Sequence, residues 1–489
     1  MASGLLGRLF ATQPHDRAHS GEGPGLRRAL GVPGLIAIGL GTMLGGIFTT
    51  IGVGTREAGP AVIGSFMLSG LACVFVSLCY AELASMVPIA GSAYTYAYAT
   101  LGEVVAWIIG WDLILEYGIS VAPTAASWSG TVQATLQGSK WHIALPAWAQ
   151  VAHVQFTRGG IDVAHSQIDV LAIAIVLVLT ALLAVGIRES ARFNSTLVLL
   201  QVAAIVVFSV ALAGAVHPSN FHPAFPHGFH GMVAGAATVF FAYIGFDTVT
   251  VASEEARRPE RDVPLAVLAS LVVGAILYMA VAYVTVGIVP WQHINPDAGM
   301  ADAVQRAGNN QVISFITFVG AIAGTTTVML TSLLGQIRIF YVMARDRMLP
   351  DSVARVNPRT RTPLAPTIIT GVLVAILSGV VPIDIGINLV NIGTLSAFAI
   401  VCAGVFVLRN TKPDARRPFK APFGKAVAAI GAVLCLYLMV GGLSGGTWLR
   451  FLIWFLVGMA VYAAYGYRHS LLAKGGAPAG GAAPPAAGP

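Results

Sequence analysis

About twelve apolar runs, each of roughly 20 residues or more, dominate a chain of 489 residues in which only 10% are Asp, Glu, Lys or Arg. A bilayer core about 30 Å thick demands about 20 apolar residues per helical crossing. Soluble domains carry about 25% charged residues, so this chain has too little charge to cover a water-facing surface of its size. Lipid satisfies no backbone polar group, and runs of this length read as helices rather than barrel strands. The sequence therefore predicts an all-α integral membrane protein. The spans fall near 33–54, 61–87, 103–134, 169–187, 193–215, 230–253, 264–289, 312–343, 364–381, 385–408, 425–442 and 447–467.

The charges that remain sit between the runs and fix a topology. With the N-terminus inside, the inner loops hold Arg188, Arg192, Arg257, Arg258, Arg261 and two later groups, Arg345 to Arg361 and Arg409 to Lys425. The outer loops hold only Arg56, Lys140, Arg158, Arg306 and Arg450. That bias follows the positive-inside rule along the whole chain, and a missed span would reverse it halfway. It also accounts for the net charge of +7 without nucleic acid as a partner. Residues 1–32 read as a basic cytoplasmic arm with no apolar leader core, 33–467 as the transmembrane domain, and 468–489 as a disordered Gly/Ala/Pro tail inside. Both termini are expected in the cytoplasm and the protein in the cell's inner, plasma membrane. Cys73, Cys79, Cys402 and Cys435 all lie in apolar runs and read as small buried hydrophobes.

Two spans carry residues that a lipid-facing helix tolerates poorly. The sixth places Gly245 and Asp247 after Phe240, then turns charged at Glu254, Glu255, Arg257, Arg258 and Arg261. An aspartate inside a membrane helix costs roughly 2.5–3.5 kcal/mol on insertion scales and faces a cavity or a partner. The first span reads GLIAIGLGTMLGGIFTTIGVG, with the Gly45–Gly46 pair followed by Thr49 and Thr50. An unwound point there frees amides, and the helix start beyond it attracts an anion such as a carboxylate. Close helix packing through small residues is the competing reading for Gly41 and Gly45. Interrupted helices in the first position of two five-helix halves are the mark of an inverted-repeat transporter, with substrate between the breaks. The halves are 33–215 and 230–408, with two added helices over 425–467.

Other polar residues lie at membrane depth. Asp112 and Glu116 share one face of the third span, and Glu116 falls near the midplane. Glu116 is read as a carboxylate bordering the substrate side chain or exchanging a proton, and Asp112 as an internal polar contact. Thr325, Thr326, Thr327, Thr331 and Ser332 form a hydroxyl patch in the eighth span, most of it expected to bond its own backbone. Gln201 sits mid-span in the fifth. The outer segment Leu136 to Gln167 is long enough for a short surface helix. His217, His222, His227 and His230 match no metal-ligand spacing and read as a solvated loop. Gly442-Leu443-Ser444-Gly445-Gly446 copies a serine-nucleophile pattern but falls in a turn between the last two spans, and no span holds a histidine beyond His230 at the very start of the sixth. With no HExxH, Walker A or paired CxxC sequence, an enzyme has no residues to rest on, and no cofactor is expected.

Several stretches in order resemble the amino acid–polyamine–organocation superfamily of permeases, most nearly its bacterial cationic amino acid transporter branch. They are FFAYIGFDTVTVASEEARRPERDVP from Phe240 to Pro264, GWDLILEYG from Gly110, ASWSG from Ala126, GIRESARFN from Gly186, and TSLLGQIRIFYVMARDRMLP from Thr331. The resemblance covers about the first ten spans. It implies a LeuT-like five-plus-five inverted repeat with broken first and sixth helices plus two extra helices. It also implies alternating-access transport of an L-amino acid, cationic (arginine, lysine) or small and neutral (alanine-like). By resemblance the substrate carboxylate meets Thr42, Gly45, Gly46 and Ile47, and its ammonium meets carbonyls around Phe241, Ala242 and Ile244. Phe241 takes the place of an aromatic lid, Glu116 that of a site carboxylate, and Ser332 leaves room for a long side chain.

Two departures stand out. Relatives read Gly-x-Gly-Ile-Phe where this chain has Gly45-Gly46-Ile47-Phe48, one residue shorter. Proton-coupled bacterial members carry a lysine where Gln201 stands, and Gln releases no proton. Gln201 and Asp247 are thus the positions on which coupling turns, with Glu116 beside them. A proton-independent exchanger or uniporter, and an amino-acid sensor or channel-like protein, stay open as alternatives. Proton coupling is expected ahead of sodium. The expected partners are the amino acid and the lipid bilayer, and a small membrane subunit stays open.

Overall fold

A computed structural model describes residues 30–86, 93–138, 145–150, 153–157, 160–185, 191–251, 256–308, 310–350 and 364–470. The basic arm before Leu30, the Glu254–Glu255 pair, Arg188, the loop 351–363 and the tail after Ser470 lie outside them.

The helices run as α1 (Val32–Met43), α2 (Gly45–Ala58), α3 (Val62–Met86), α4 (Ala93–Thr100) and α5 (Glu103–Gly138). Two strands, β1 (His153–Thr157) and β2 (Gly160–Gln167), precede α6 (Val170–Val185) and α7 (Ala191–Ala211). Then follow α8 (Gly228–Val239), a 3₁₀ turn (Phe240–Tyr243), α9 (Thr248–Val251), α10 (Pro259–Ile288) and α11 (Gly299–Arg306). The chain continues through α12 (Gln311–Arg345), α13 (Leu364–Val380), α14 (Ile383–Thr411), α15 (Lys425–Gly442) and α16 (Gly445–Val461). Each apolar run of the sequence coincides with a helix or a pair of short ones. Among the described residues, nine helical stretches are long and apolar enough to cross a membrane, and Val32–Met43, Val170–Val185 and Leu364–Val380 are shorter apolar helices.

Packing joins helices that are distant in sequence. α5 lies against α12 and α14, α12 against α7, α3 against α10, α6 against α13, and α1 against α10. Side chains facing outward are large and apolar, among them Val210, Leu199, Val440 and Ile369. That is the reverse of a water-soluble surface, and lipid is the solvent that suits it. All four cysteines are free and buried.

The outer segment departs from expectation. Among its described residues it carries, beyond the end of α5, a 3₁₀ turn at Ala147–Ala149 and an antiparallel strand pair joining Gln155 with Asp162 and Phe156 with Ile161. The residues explain it: Val154 and Phe156, then Ile161 and Val163, alternate with neighbours at the two-residue strand period around Gly159-Gly160. Ser444 is an N-cap, its hydroxyl accepting the Thr447 amide at 3.3 Å where α16 begins. No group of three or more His, Cys, Asp or Glu among the described residues could hold a metal.

The two expected interruptions differ in degree. In the first span only Leu44 lies outside the helices, still near helical dihedrals (φ −61°, ψ −24°), with its amide bonded to the Leu40 carbonyl at 2.9 Å. The unwound point expected there is thus a single residue, because no glycine in the segment takes a left-handed conformation. The sixth span truly breaks: after the 3₁₀ turn Ile244 is extended (ψ 132°) and Gly245 has φ +114°.

Candidate functional site

The break in the sixth span is held open by its neighbours. A helix that stops in apolar surroundings leaves its last carbonyls without partners. Here Asn391 of α14 donates to the Ala237 and Thr238 carbonyls at 2.7 and 3.0 Å. Tyr278 of α10 donates its hydroxyl to the Ala242 carbonyl at 2.8 Å. Gly245, at a φ that L side chains rarely adopt, sends its carbonyl to the Thr42 hydroxyl of α1 at 2.9 Å and to Thr248 at 2.6 Å. A side chain at Gly245 would meet Thr42 within 2.9 Å.

The first span presses directly on this break. A Cβ on Gly46 would lie 2.7 Å from the Ala242 Cα, so only glycine lets α2 start against the 3₁₀ turn. Gly45 makes the same approach to the Gly324 backbone of α12. The glycine pair therefore packs backbone on backbone, at the place where the two interruptions meet.

Between these breaks, α5 and α12 lies a cavity of about 50 Å³. One ordered water needs roughly 10–15 Å³ by the same measure, so the space holds several waters or a small polar molecule. Its walls are Thr42 and Gly46; Glu116, Tyr117 and Ser120; Phe241, Ile244, Gly245, Asp247 and Thr248; and Val328, Thr331 and Ser332. The structure thus brings together Thr42, Gly46, Glu116, Phe241, Ile244, Gly245, Asp247, Thr331 and Ser332 of the residues singled out in the sequence.

Four others stand elsewhere. Gly45 faces α12, Ile47 is fully buried in the apolar core, and the Ala242 carbonyl is held by Tyr278. Gln201 lies on α7 facing α12, its amide 3.5 Å from the Thr327 hydroxyl. Asp112 also sits outside the cavity and accepts the Ser396 hydroxyl at 2.7 Å, a contact between α5 and α14. Tyr117, Ser120, Thr248 and Val328 were not read from the sequence. Ser120 follows Glu116 by one helical turn and bonds Ser332 at 3.0 Å, so the helical period alone could have found it.

The cavity's electrostatics are lopsided. Glu116 and Asp247 are both at most 4% exposed, and among the described residues no Lys, Arg or His lines the space with them. Backbone amides around Gly245, Asp247 and Thr248 serve the Asp247 carboxylate. Glu116 has Thr394 of α14 as a hydroxyl neighbour, and its Oε2 is buried without a hydrogen-bond partner. Burying a charge without such partners costs several kcal/mol, so this site is built to receive something positive or a proton.

At the far end of α2, α11 and the loop before it cap the first span. A Cβ on Gly52 of α2 would meet the Asn295 and Pro296 carbonyls at 2.5 Å, and Gly299 lies against Gly52 in turn. Asp297 in this loop rests on Gly130 of α5. Burial pushes its carboxyl up to about 7; Asp169 and Asp384 push the same way and Arg56 opposes them.

The amino acid permease family model matches residues 30–464. The chain is 41% identical to the branched-chain amino acid permease BcaP of Bacillus subtilis over 471 residues, 96% of this chain and 99% of that one. It is 40% identical to the methylthioribose transporter of the same organism over 472 residues, 96% of this chain and all of that one. It is 38% identical to the vacuolar cationic amino acid transporter 4 of Arabidopsis thaliana over 431 residues, 84% of this chain and 68% of that one.

Proposed function

Because the chain belongs to the amino acid permease family, within the amino acid–polyamine–organocation superfamily, we propose that it carries an L-amino acid across a membrane by alternating access. It is a multi-pass membrane transporter and not an enzyme. The observation that carries the substrate reading is the cavity between the two interrupted spans, with Glu116 on its wall.

An amino acid zwitterion matches the two ends of that cavity. Its carboxylate goes to the start of α2, where Thr42 and Gly46 stand and the first amides of a helix seek an acceptor. Its ammonium goes to the broken segment, where Phe241 and Ile244 line the space and carbonyls point out of helical register. Phe241 covers the bound molecule, and the side chain extends towards Glu116, Ser120 and Ser332. A guanidinium or ammonium there gains a charge-assisted bond to a desolvated carboxylate, which favours arginine or lysine. Small neutral side chains such as alanine's also fit the present volume.

Twelve crossings with both termini inside, in a plasma membrane, complete the reading. Support for a five-plus-five repeat over 33–215 and 230–408, with added helices at 425–467, comes from the packing. Exchanging each helix for the one five spans later turns the α5–α14 contact into α12–α7, and α1–α10 into α8–α3, both of which occur.

A second reading rests on the methylthioribose transporter, as similar to this chain as BcaP is. A neutral thioether sugar needs neither helix break as a charge partner. Uptake into proteoliposomes of labelled arginine, alanine, leucine and methylthioribose decides between them. Saturable amino acid uptake that excess unlabelled arginine or alanine suppresses is expected. Uptake of methylthioribose alone would give the second reading the place of the first.

A further inference from the structure

We propose that Arg338 of α12 is a second binding point for the substrate's carboxylate, in an antechamber between the cavity and the membrane face at which α1 begins and α12 ends. That face is the inner one in the topology proposed above. The proposal rests on the transport reading and adds a residue that stands outside the cavity itself.

The cavity is shut on one side and open on the other. Towards the far ends of α2 and α5, Phe241 packs with Val53, Ala126, Ile383, Ile387 and Val390 in an apolar cluster, none of them more than 5% exposed. On the other side the walls thin out. Thr42 of α1, Thr248 of α9, Tyr117 of α5 and Thr331 of α12 are only half-buried, although all four line the cavity.

One face of α12 runs from the cavity into this opening. Gly324 meets Gly45, Thr331 lines the cavity, Gly335 lies against the Tyr117 ring, and Arg338 comes next. These positions are spaced by seven, four and three residues, so they share a face. Arg338 lies two turns, about 10 Å, beyond Thr331. The exposed apolar pair Val312 and Phe315 marks the lipid side of the same helix, roughly opposite. Arg338 is exposed and within electrostatic reach of Tyr117. The ion pairs among the described residues, which join Arg306 to Asp302, Arg345 to Asp346, and Arg409 and Arg417 to Glu82, pass it by. An ionisable group at membrane depth marks a polar route, and a guanidinium without its own anion is placed to take one that arrives.

Charge is thereby ordered along the route. The cavity holds the acids Glu116 and Asp247, and the opening holds a base. A carboxylate leaving the start of α2 goes to the Arg338 fork, which grips it through two parallel hydrogen bonds. A carboxylate arriving from that face meets the fork first, with the ammonium end of the molecule turned towards the two acids.

Sealed vesicles of either orientation, holding the full-length protein, test this. Malonate carries carboxylates and no ammonium. Applied at the face where α1 begins, it should inhibit arginine uptake, and applied at the opposite face it should not. Arg338→Gln should raise the inhibitory concentration about tenfold or more, and Arg338→Lys, which keeps the charge and loses the fork, by less. Without a pH gradient or voltage a carrier must slow equally in both directions. Arg338→Gln should therefore lower the ratio of maximal rate to half-saturating concentration about tenfold from either face, for arginine and alanine alike. Absence of malonate inhibition, inhibition from both faces, inhibition that survives Arg338→Gln, or an unchanged rate ratio overturns the proposal and leaves the transport reading intact. If Arg338→Gln alters transport only in vesicles containing phosphatidylglycerol, the group holds a lipid phosphate and the proposal falls. Unfolding temperature verifies each variant; should Arg338→Gln not fold, Arg338→Lys decides through its weaker malonate inhibition. An unaltered protein that takes up no amino acid overturns the transport reading, and this proposal with it.

Discussion

Two glutamates buried to nearly the same degree live in opposite surroundings. Glu82, near the C-terminal end of α3, is 1% exposed and Glu116, along α5, is 2% exposed. Glu82 takes both guanidinium arms of Arg409, which comes from the end of α14, with Nε at 3.0 Å. It also faces Arg417 at 3.2 Å and accepts the Ala421 amide at 2.9 Å. Glu116 has one hydroxyl neighbour and an oxygen with nothing to bond. The first carboxylate is answered within the fold and braces the C-terminal ends of α3 and α14. The second is left for something that comes and goes. Burial alone does not separate structure from function; the count of satisfied oxygens does.

The largest expected effect breaks the satisfied member. Glu82→Ala leaves two guanidinium groups facing a low-dielectric space without their anion, which costs about 3–5 kcal/mol. Thermal unfolding in detergent should show a large drop in Tm, and the double variant Glu82→Gln with Arg409→Gln should recover part of it. A single variant as stable as the parent would deny the brace any role.

Next comes the backbone that presents Asp247. Gly245→Ala puts a side chain at φ +114° and within 2.9 Å of Thr42, and strain of this kind costs about 1–3 kcal/mol. The break that aims Asp247 at the cavity should relax, so substrate affinity falls more than unfolding temperature does. Parallel loss of both would make Gly245 a packing residue only.

Much of this was legible in the residues. Length and apolarity of the runs located the helices, because lipid leaves a spanning chain no other choice. Gly245 and Asp247 announced the second break, since both are poor tenants of an apolar helix. The first break was less legible. Gly45–Gly46 signals close backbone approach and unwinding equally well, and only the contact with Ala242 shows which of the two dominates. Tyr117 and Val328 were missed because an aromatic or aliphatic residue on a membrane helix looks the same whether it meets lipid, another helix or a ligand. The pair β1 and β2 was missed because its alternation, Val154 and Phe156 then Ile161 and Val163, is only two apolar residues long in each strand. Glu82 was passed over altogether, since its partners Arg409 and Arg417 lie more than three hundred residues away and read as ordinary inner-loop charge.

Glu116→Gln is the mirror of Glu82→Ala and should behave oppositely. It keeps shape and removes a charge that nothing in the fold offsets, so the unfolding temperature should hold or rise. Arginine uptake should fall by about tenfold or more, the equivalent of about 1.4 kcal/mol, and alanine uptake by less. If stability collapses as it does for Glu82→Ala, the two glutamates are alike and the contrast between them fails.

The smallest effect belongs to Asp297, which stands between the two extremes. It is partly buried in the loop before α11, on Gly130, with Asp169 and Asp384 against it and Arg56 as partial compensation. Its carboxyl is raised from the ordinary 3.8 to about 7, so the folded protein binds its proton more tightly than the unfolded chain does. Stability therefore declines as pH rises from about 4 towards 7, the window in which only the unfolded chain has lost the proton, and levels off above it. Asp297→Asn should remove that slope, leaving unfolding temperature nearly flat from pH 5 to 7.5 (about the range a detergent-solubilised protein tolerates). A slope that persists in Asp297→Asn would move the proton to another outer carboxylate and place Arg56 with the satisfied partners of Glu82, as a base that fully answers its acid.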